Sequence, residues 1–412
     1  MFKDKYLDMS KIITDKAILK LFEVVENHGG VLRFVGGAVR DALAGIKGFD
    51  LDLATDMSPD ELVEMCEEND IKTIPIGIKF GTVGIMINGK VLEVTSLRKD
   101  IKTDGRHAEV EFTTDWQEDA SRRDLTINAV YADEKGNVFD YYNGIDDLQK
   151  GIVRFIGNPN QRIREDYLRI LRFFRFYSIF GKGDIDKKAL RACKDNQAGL
   201  TKISIERIRD EFAKILLTPN VINTVKIMLD NDILGYILPP APHFDYLENL
   251  IRLVREQNLD ESALRRLFIL YQPDTALANN FATRFKFSNK QKELFLSWAK
   301  HNPKLSEFTT TENLTKLLYE YGKDFCYHKF ILLCAQKGET PSNFSKILEL
   351  IKTTPIPVFP LKGRDLISAG VEDNRKIGHM LDMLEHLWIE SNFSMSKNEL
   401  LAQVHSKLKE AL

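Results

Sequence analysis

Cysteine is scarce in this sequence: Cys66, Cys193, Cys326 and Cys334 are the only four in 412 residues, and they are widely spread. Their spacing excludes a thiolate metal knot and fits buried thiols in a reducing compartment, so a cytoplasmic protein is expected. The eight histidines do not cluster, and none precedes an aspartate, which argues against a His-Asp metal-dependent phosphohydrolase unit. No apolar run is long enough to cross a bilayer, so no membrane partner is expected. The opening Met-Phe-Lys-Asp-Lys is charged and carries no apolar stretch, which predicts no secretory signal. Repeats and low-complexity tracts are missing too. Nor is there an excess of positive charge: the formal net charge is −2, unpromising for a nucleic-acid binder.

What is present describes a soluble globular chain, 43% hydrophobic and 29% charged, too long for one core and expected to form two to four packed units. Charge is unevenly spread. Between Gly151 and Asn220 there are 15 Lys/Arg against 8 Asp/Glu, a local balance of +7. A basic middle suits RNA held along one groove, and a solvated helical face would look the same.

Patterning divides the chain. The first 145 residues alternate short helices and strands: a helix from about Asp15 to Asn27, a strand at Val31–Val35, a helix at Ala38–Ala44 and a strand at Asp50–Ala54. Ser58 is placed to cap a helix over Pro59–Asn69. Asn88-Gly89, between the alternating runs Thr82–Ile87 and Lys90–Ser96, predicts a hairpin. Arg98–Asp115 is polar and reads as a mobile loop, followed by a short helix carrying Arg122–Ala129 and a hairpin over Val130–Tyr142. After Pro159 strand signals vanish, and helices are expected at Gln161–Phe180, Ile203–Leu217 and Val221–Asp230. Prolines at 239, 240 and 242, and again within Thr353–Pro360, punctuate the helical part.

The most telling stretch runs from Phe34 to Asp56. Gly36 and Gly37 let backbone approach a triphosphate, and Arg40 offers a planar fork to its oxygens. Asp50 and Asp52, at i and i+2 on a strand, project from one face while Leu51 and Leu53 enter the core. Paired carboxylates on one rigid strand are what two Mg²⁺ ions need to clamp an in-line phosphoryl displacement.

This run resembles the polymerase-β-like nucleotidyltransferases, in particular the bacterial branch of tRNA CCA-adding enzymes and poly(A) polymerases. The resemblance implies an α+β fold: a catalytic nucleotidyltransferase head with a small mixed sheet at residues 1–145, then an all-α neck (146–217), body (218–352) and tRNA-binding tail (353–412). It also implies a third carboxylate on a neighbouring strand, for which Glu93 is the candidate. Ser121-Arg122-Arg123-Asp124-Leu-Thr-Ile-Asn128-Ala129 resembles the second family motif. Arg123 would meet phosphate, and Asp124 and Asn128, at i and i+4 on one helix face, would hold the ribose or brace the pocket.

The segment Arg164-Glu165-Asp166-Tyr167-Leu168-Arg169 decides among relatives. Asp166 and Arg169 are at i and i+3, so they are neighbours on a helix. Aspartate accepts hydrogen bonds and arginine only donates them. Cytosine and adenine each offer an amino donor beside a ring-nitrogen acceptor, and match such an edge. Guanine and uracil present the reverse order and would leave buried groups unpaired. The segment resembles the Glu-Asp-x-x-Arg amino-acid template of class II CCA-adding enzymes, and by resemblance Arg172 and Arg175 continue as nucleotide or phosphate contacts. Ser204-Ile-Glu206-Arg207 is similar to the next family motif, with a structural role expected.

The implied reaction is CCA addition to a tRNA 3′ end from CTP and ATP with Mg²⁺, and no DNA partner is expected. The alternative is a poly(A) polymerase or an enzyme adding only A or only CC. The stretch Pro75–Ile87 has a single lysine and lacks the basic, aromatic run of poly(A) polymerases in this branch, which favours CCA addition.

Overall fold

The computed structural model describes residues 7–9, 13, 16–46, 51–104, 107–239, 242–371 and 374–410. Ile18, Leu21, Phe22 and Val25 recur at helical spacing, and all four are buried on one face of α1 (Lys16–Asn27). Strand β1 (Leu32–Val35), helix α2 (Gly37–Leu43), strand β2 (Asp52–Thr55) and helix α3 (Pro59–Glu68) follow. Ser58 caps α3 as expected: its hydroxyl accepts from the Glu61 amide at 3.3 Å, and the Glu61 carboxylate accepts from the Ser58 amide at 2.7 Å. Next come β3 (Lys72–Gly77), β4 (Thr82–Ile87) and β5 (Lys90–Ser96). Asn88 (φ 52°) and Gly89 (φ 77°) make the left-handed two-residue turn their sequence predicts.

The segment Arg98–Asp115, expected to be a loop, instead contains paired strands β6 (Arg98–Asp104) and β7 (His107–Phe112). Its polar residues hid it. Cross-strand pairing does the work that a buried apolar face does elsewhere, as in the Lys99–Glu111 ion pair at 3.1 Å. Helix α4 (Trp116–Ser121) then leads to β8 (Val130–Ala132) and β9 (Val138–Asp140).

Seven strands form one mixed sheet in the order β3-β4-β5-β2-β1-β8-β9, in which β2 and β5 run parallel. One face carries Phe34, Leu53, Val83, Ile85 and Val94 against α1, α2 and α3; the other carries Val35, Ala54, Leu97 and Tyr131 against Trp116 and Ala120 of α4. Burying each such large side chain contributes about 1.5–3 kcal/mol, so the central strands are well anchored.

Helices α5 (Gly144–Lys150), α6 (Pro159–Glu165), α7 (Arg169–Phe180), α8 (Lys187–Asn196), α9 (Ile205–Leu216) and α10 (Val221–Asp230) complete a compact unit, Met1–Pro240. The continuous helix expected over 161–180 is broken between α6 and α7. Asp166 leaves the helical region (φ −154°, ψ 106°), and its side-chain oxygen accepts from the Leu168 amide at 3.1 Å, a local bond that competes with the helix. Tyr167 fits the break because Gly199 makes room: a Cβ there would lie 1.9 Å from the Tyr167 ring.

The second compact unit, Ala241–Leu412, is helical throughout its described residues. It comprises α11 (Phe244–Glu256), α12 (Ala263–Tyr271), α13 (Thr275–Arg284), α14 (Asn289–Lys300), α15 (Thr311–Lys337), α16 (Phe344–Thr353), α17 (Gly363–Ser368), α18 (Asn374–Glu390) and α19 (Lys397–Glu410). Phe268, Phe281, Phe295 and Trp298 pack edge-on or tilted in its core. A separate cluster around Leu366, Leu384, Trp388 and Leu400 holds the last three helices.

Candidate active site

Gly36 joins β1 to α2 at φ 64°, where side chains are strained, and a Cβ there would approach the Arg123 guanidinium to 3.4 Å. Beside it, β2 begins with Asp52, exposed, and its parallel partner on β5 is Glu93, also exposed. The next pair, Leu53 and Val94, is buried at 1% and 0% exposure. The two carboxylates therefore share the opposite face of the sheet, side by side. Asp50 lies outside the described residues. No group of three or more His, Cys, Asp or Glu able to hold a metal occurs among the described residues.

Asp52 opens onto a cleft of about 470 Å³ within the first unit, lined also by Gly36, Gly37, Asp124, Asn128, Asp166, Leu168 and Phe176. Seven arginines line it: Arg40, Arg122, Arg123, Arg169, Arg172, Arg175 and Arg207. A wall of guanidinium groups of this density suits a polyphosphate.

These arginines are held in place by buried acids. Asp119 accepts from Arg122 at 2.5 Å, from Arg123 at 3.0 Å and from the Tyr131 hydroxyl at 2.8 Å. Burial alone would raise the Asp119 pKa, but Arg123 and Arg122 outweigh it and hold the carboxyl down at about 2. Asp124 accepts from Arg172 at 2.6 Å and from the Asn128 amide at 2.9 Å, and despite its burial these partners keep it far below the usual carboxylate range. Arg40 donates to Asn128 at 2.5 Å and to Asp41 at 2.8 Å, with its guanidinium over the Phe176 ring at 4.7 Å. Arg175 meets Glu211 at 2.9 Å.

One connected chain, Arg40–Asn128–Asp124–Arg172, thus ties α2 to α7 through the turn before β8. Arg40, expected to grip phosphate, is 8% exposed and turns its fork inward to that chain. Asp124 and Asn128 meet as expected, yet not along an α-helix: only Thr126–Asn128 form a 3₁₀ turn, and the side chains join across it.

Asp166 and Arg169 stand on either side of the helix break, joined by a backbone bond from Arg169 N to Asp166 O at 3.0 Å. The Arg169 guanidinium donates to Glu165 at 2.6 Å, to the Arg162 carbonyl at 2.9 Å and to the Arg122 carbonyl at 3.0 Å. Arg207, to which the sequence reading gave only a structural part, reaches from α9 to Asp166 at 2.6 Å and lines the cleft. A signal was available: Arg207 occupies the place where a capping box from Ser204 would have Glu, and Ser204 makes no side-chain cap bond.

Comparison with known proteins agrees with this architecture. Residues 32–154 match the family described as Poly A polymerase head domain, and residues 184–244 match one described as Probable RNA and SrmB- binding site of polymerase A. Human CCA tRNA nucleotidyltransferase 1, mitochondrial, is 37% identical over 405 residues, spanning 94% of this chain and 89% of that protein. The chain belongs to the CCA tRNA nucleotidyltransferase family. A bacterial member, the CCA-adding enzyme of Streptococcus sanguinis, is 31% identical over 396 residues, spanning 94% of this chain and 96% of its own length. The crystal structure of the Bacillus stearothermophilus CCA-adding enzyme in complex with CTP superposes with a TM-score of 0.76 at 24% identity, covering 96% of this chain and 98% of that one. CCA-adding enzymes thus share its α+β head and helical remainder.

Proposed function

We propose that this protein adds C, C and A to the 3′ end of tRNA from CTP and ATP without a nucleic-acid template. The observation that carries the reading is one cleft lined at once by Gly36 and Gly37, the strand carboxylate Asp52, the arginine wall and the Asp166/Arg169 pair. In the reaction the RNA 3′-oxygen attacks the α-phosphorus, an O–P bond forms, and the bond to pyrophosphate breaks.

The residue types suit a hard divalent cation, since Asp52 and Glu93 are carboxylates paired in register on neighbouring parallel strands. Asp52, with Asp50 outside the described residues, would hold Mg²⁺. When bound, Mg²⁺ would make the attacking hydroxyl more acidic and neutralise charge on the leaving pyrophosphate. Glu93 beside Asp52 is positioned to accept the hydroxyl proton. Arg123, Arg172 and Arg175 face the triphosphate, while Arg40 braces Asn128. Asp124 and Asn128 shape the ribose side of the cleft.

Asp166 accepts from the amino group of C or A. Arg169, with three of its five donors engaged by Glu165 and two carbonyls, offers the others to the ring nitrogen. G and U meet acceptor against acceptor and donor against donor. We assign catalysis to a head of residues 1–145, nucleotide choice to a neck of 146–217, and tRNA holding to the body and tail beyond. Four free, buried cysteines suit a reducing compartment such as the cytoplasm.

The test is extension of a tRNA transcript lacking its CCA end, with single nucleotides and then CTP plus ATP, followed by product sequencing. Addition of C, C and A with arrest is expected. Long A tails, or arrest after CC, would overturn the assignment in favour of poly(A) or partial addition.

A further inference from the structure

An arginine grips phosphate with one edge of its guanidinium, and at Arg123 the other edge is fixed by a closed ring of bonds. Its Nη2 donates to Asp119 Oδ2 at 3.0 Å, and its Nε is shared between that oxygen at 3.3 Å and the Tyr131 hydroxyl at 3.2 Å. The Tyr131 hydroxyl donates in turn to the same Oδ2 at 2.8 Å. It stays protonated to do so, because burial above all raises its pKa from the usual 10 against the pull of Arg123. With Nε and Nη2 engaged, Nη1 faces the glycine turn: it is the nearest atom to a Cβ built on Gly36, at 3.4 Å.

Tyr131 belongs to the strand pair that carries this turn. It lies opposite Val35 on β1, the residue before Gly36, and the Gly36 amide donates to the Val130 carbonyl at 3.1 Å. Its ring is fully buried, edge-on to Trp116 at 5.3 Å and to Tyr141 at 6.0 Å, so its oxygen has one place to be. We infer that Tyr131 is a positioning residue for the triphosphate: its hydroxyl, indexed to the Gly36 turn by the β1–β8 register, fixes which edge of Arg123 faces that turn. This rests on the reading of the cleft as a nucleotide site. Asp119 alone does not make the choice, since a carboxylate can take a guanidinium side-on, through Nε and Nη2, or end-on, through both Nη atoms. The Tyr131 oxygen bonds Nε, and so selects the side-on arrangement that leaves Nη1 toward Gly36.

A tyrosine that only fills the core would be packed in the same way, and the two roles separate in what they change. Tyr131→Phe removes one oxygen and keeps the ring. The experiment compares the unaltered protein with Tyr131→Phe, Arg123→Met and the double variant on a tRNA transcript lacking CCA. It measures kcat and KM for CTP and ATP, calorimetric affinity for pyrophosphate, and the thermal melt of each. We expect KM for CTP and for ATP to rise alike by about tenfold in Tyr131→Phe, with kcat within about twofold and pyrophosphate bound more weakly in parallel. Because the hydroxyl acts through Arg123, adding Tyr131→Phe to Arg123→Met should change neither KM nor pyrophosphate affinity further.

Unchanged KM and pyrophosphate affinity beside a lowered melting temperature would overturn the inference in favour of packing alone. A full further loss in the Arg123→Met background would overturn it as well, since the hydroxyl would then act without Arg123. Failure of the unaltered protein to incorporate C or A would instead sink the proposed function, and the pyrophosphate titrations would then decide on Tyr131 by themselves.

Discussion

Half-buried arginines line a cleft in the first unit of this molecule, and fully buried cations lie inside the second. In the first unit each pairs with a carboxylate: Arg123 with Asp119, Arg172 with Asp124, Arg175 with Glu211, Arg207 with Asp166. In the second unit Lys329, 5% exposed, donates to the Trp298 carbonyl at 2.7 Å and lies over the Phe268 ring, Arg265, 1% exposed, donates to the Asp260 carbonyl, and Arg266, 4% exposed, pairs with Glu261 at 2.7 Å. Trp298 is in the last turns of α14, where carbonyls lack helical partners, so Lys329 acts as a cap reaching from α15. The difference separates a site from a brace. Arginines ordered by acids along an open cleft are ready for an anionic ligand, and a lysine turned onto a carbonyl inside a bundle, as Lys329 is, holds two helices together.

Three changes would break or sharpen that contrast. The largest effect is expected at Asp52. Replacing it by Ala should lower nucleotide incorporation by about 10³-fold or more, since a metal-holding carboxylate contributes several kcal/mol to the transition state. Its exposure predicts an unchanged melting temperature, read in the same preparation.

Next is Asp119→Ala, which strands Arg122, Arg123 and Tyr131 without their shared acceptor. Breaking such a buried pair costs about 3–5 kcal/mol, measurable by denaturant unfolding. The unaltered protein should also show an acid signature. Because the folded pKa of Asp119, about 2, lies below its ordinary 3.8, the stability it contributes is complete above pH 4 and is lost as pH falls toward 2.

The smallest effect is expected in the second unit, at Lys329→Met. Burial lowers the Lys329 pKa from 10.5 to about 8. Between those values the unfolded chain retains a proton that the folded one has released, so stability should rise with pH from about 8 to 10.5. The methionine variant should stay within about 1 kcal/mol of the parent at pH 7, an apolar group of similar length replacing a buried charge. Its melting curve should lose that alkaline rise.

The sequence made the local elements legible and hid those that depend on distant partners. Ser58 as a cap, and Asn88 with Gly89 as a turn, are read within a few residues, and both turn out as expected. Glu93 is a candidate only through the family resemblance, and the strand register sets it opposite Asp52. The break at Asp166 was invisible because it needs Tyr167 to settle on Gly199, thirty-two residues away, an arrangement no helical periodicity encodes. The hairpin β6–β7 is hidden because polar residues break the apolar alternation that marks a strand. Arg40, expected on phosphate, donates to Asn128, and Arg207, whose motif implies a structural role, reaches the cleft to bond Asp166. Arginine in a sequence announces a partner, but only the fold says which.

The most direct test of the account is single-turnover incorporation of each of the four nucleotides by Asp166→Ala beside the unaltered protein. Preference for C and A over U and G should fall by about 10- to 100-fold in the variant, the cost of one unpaired group in a buried recognition edge. Undiminished preference would contradict the claim that this side chain reads the base.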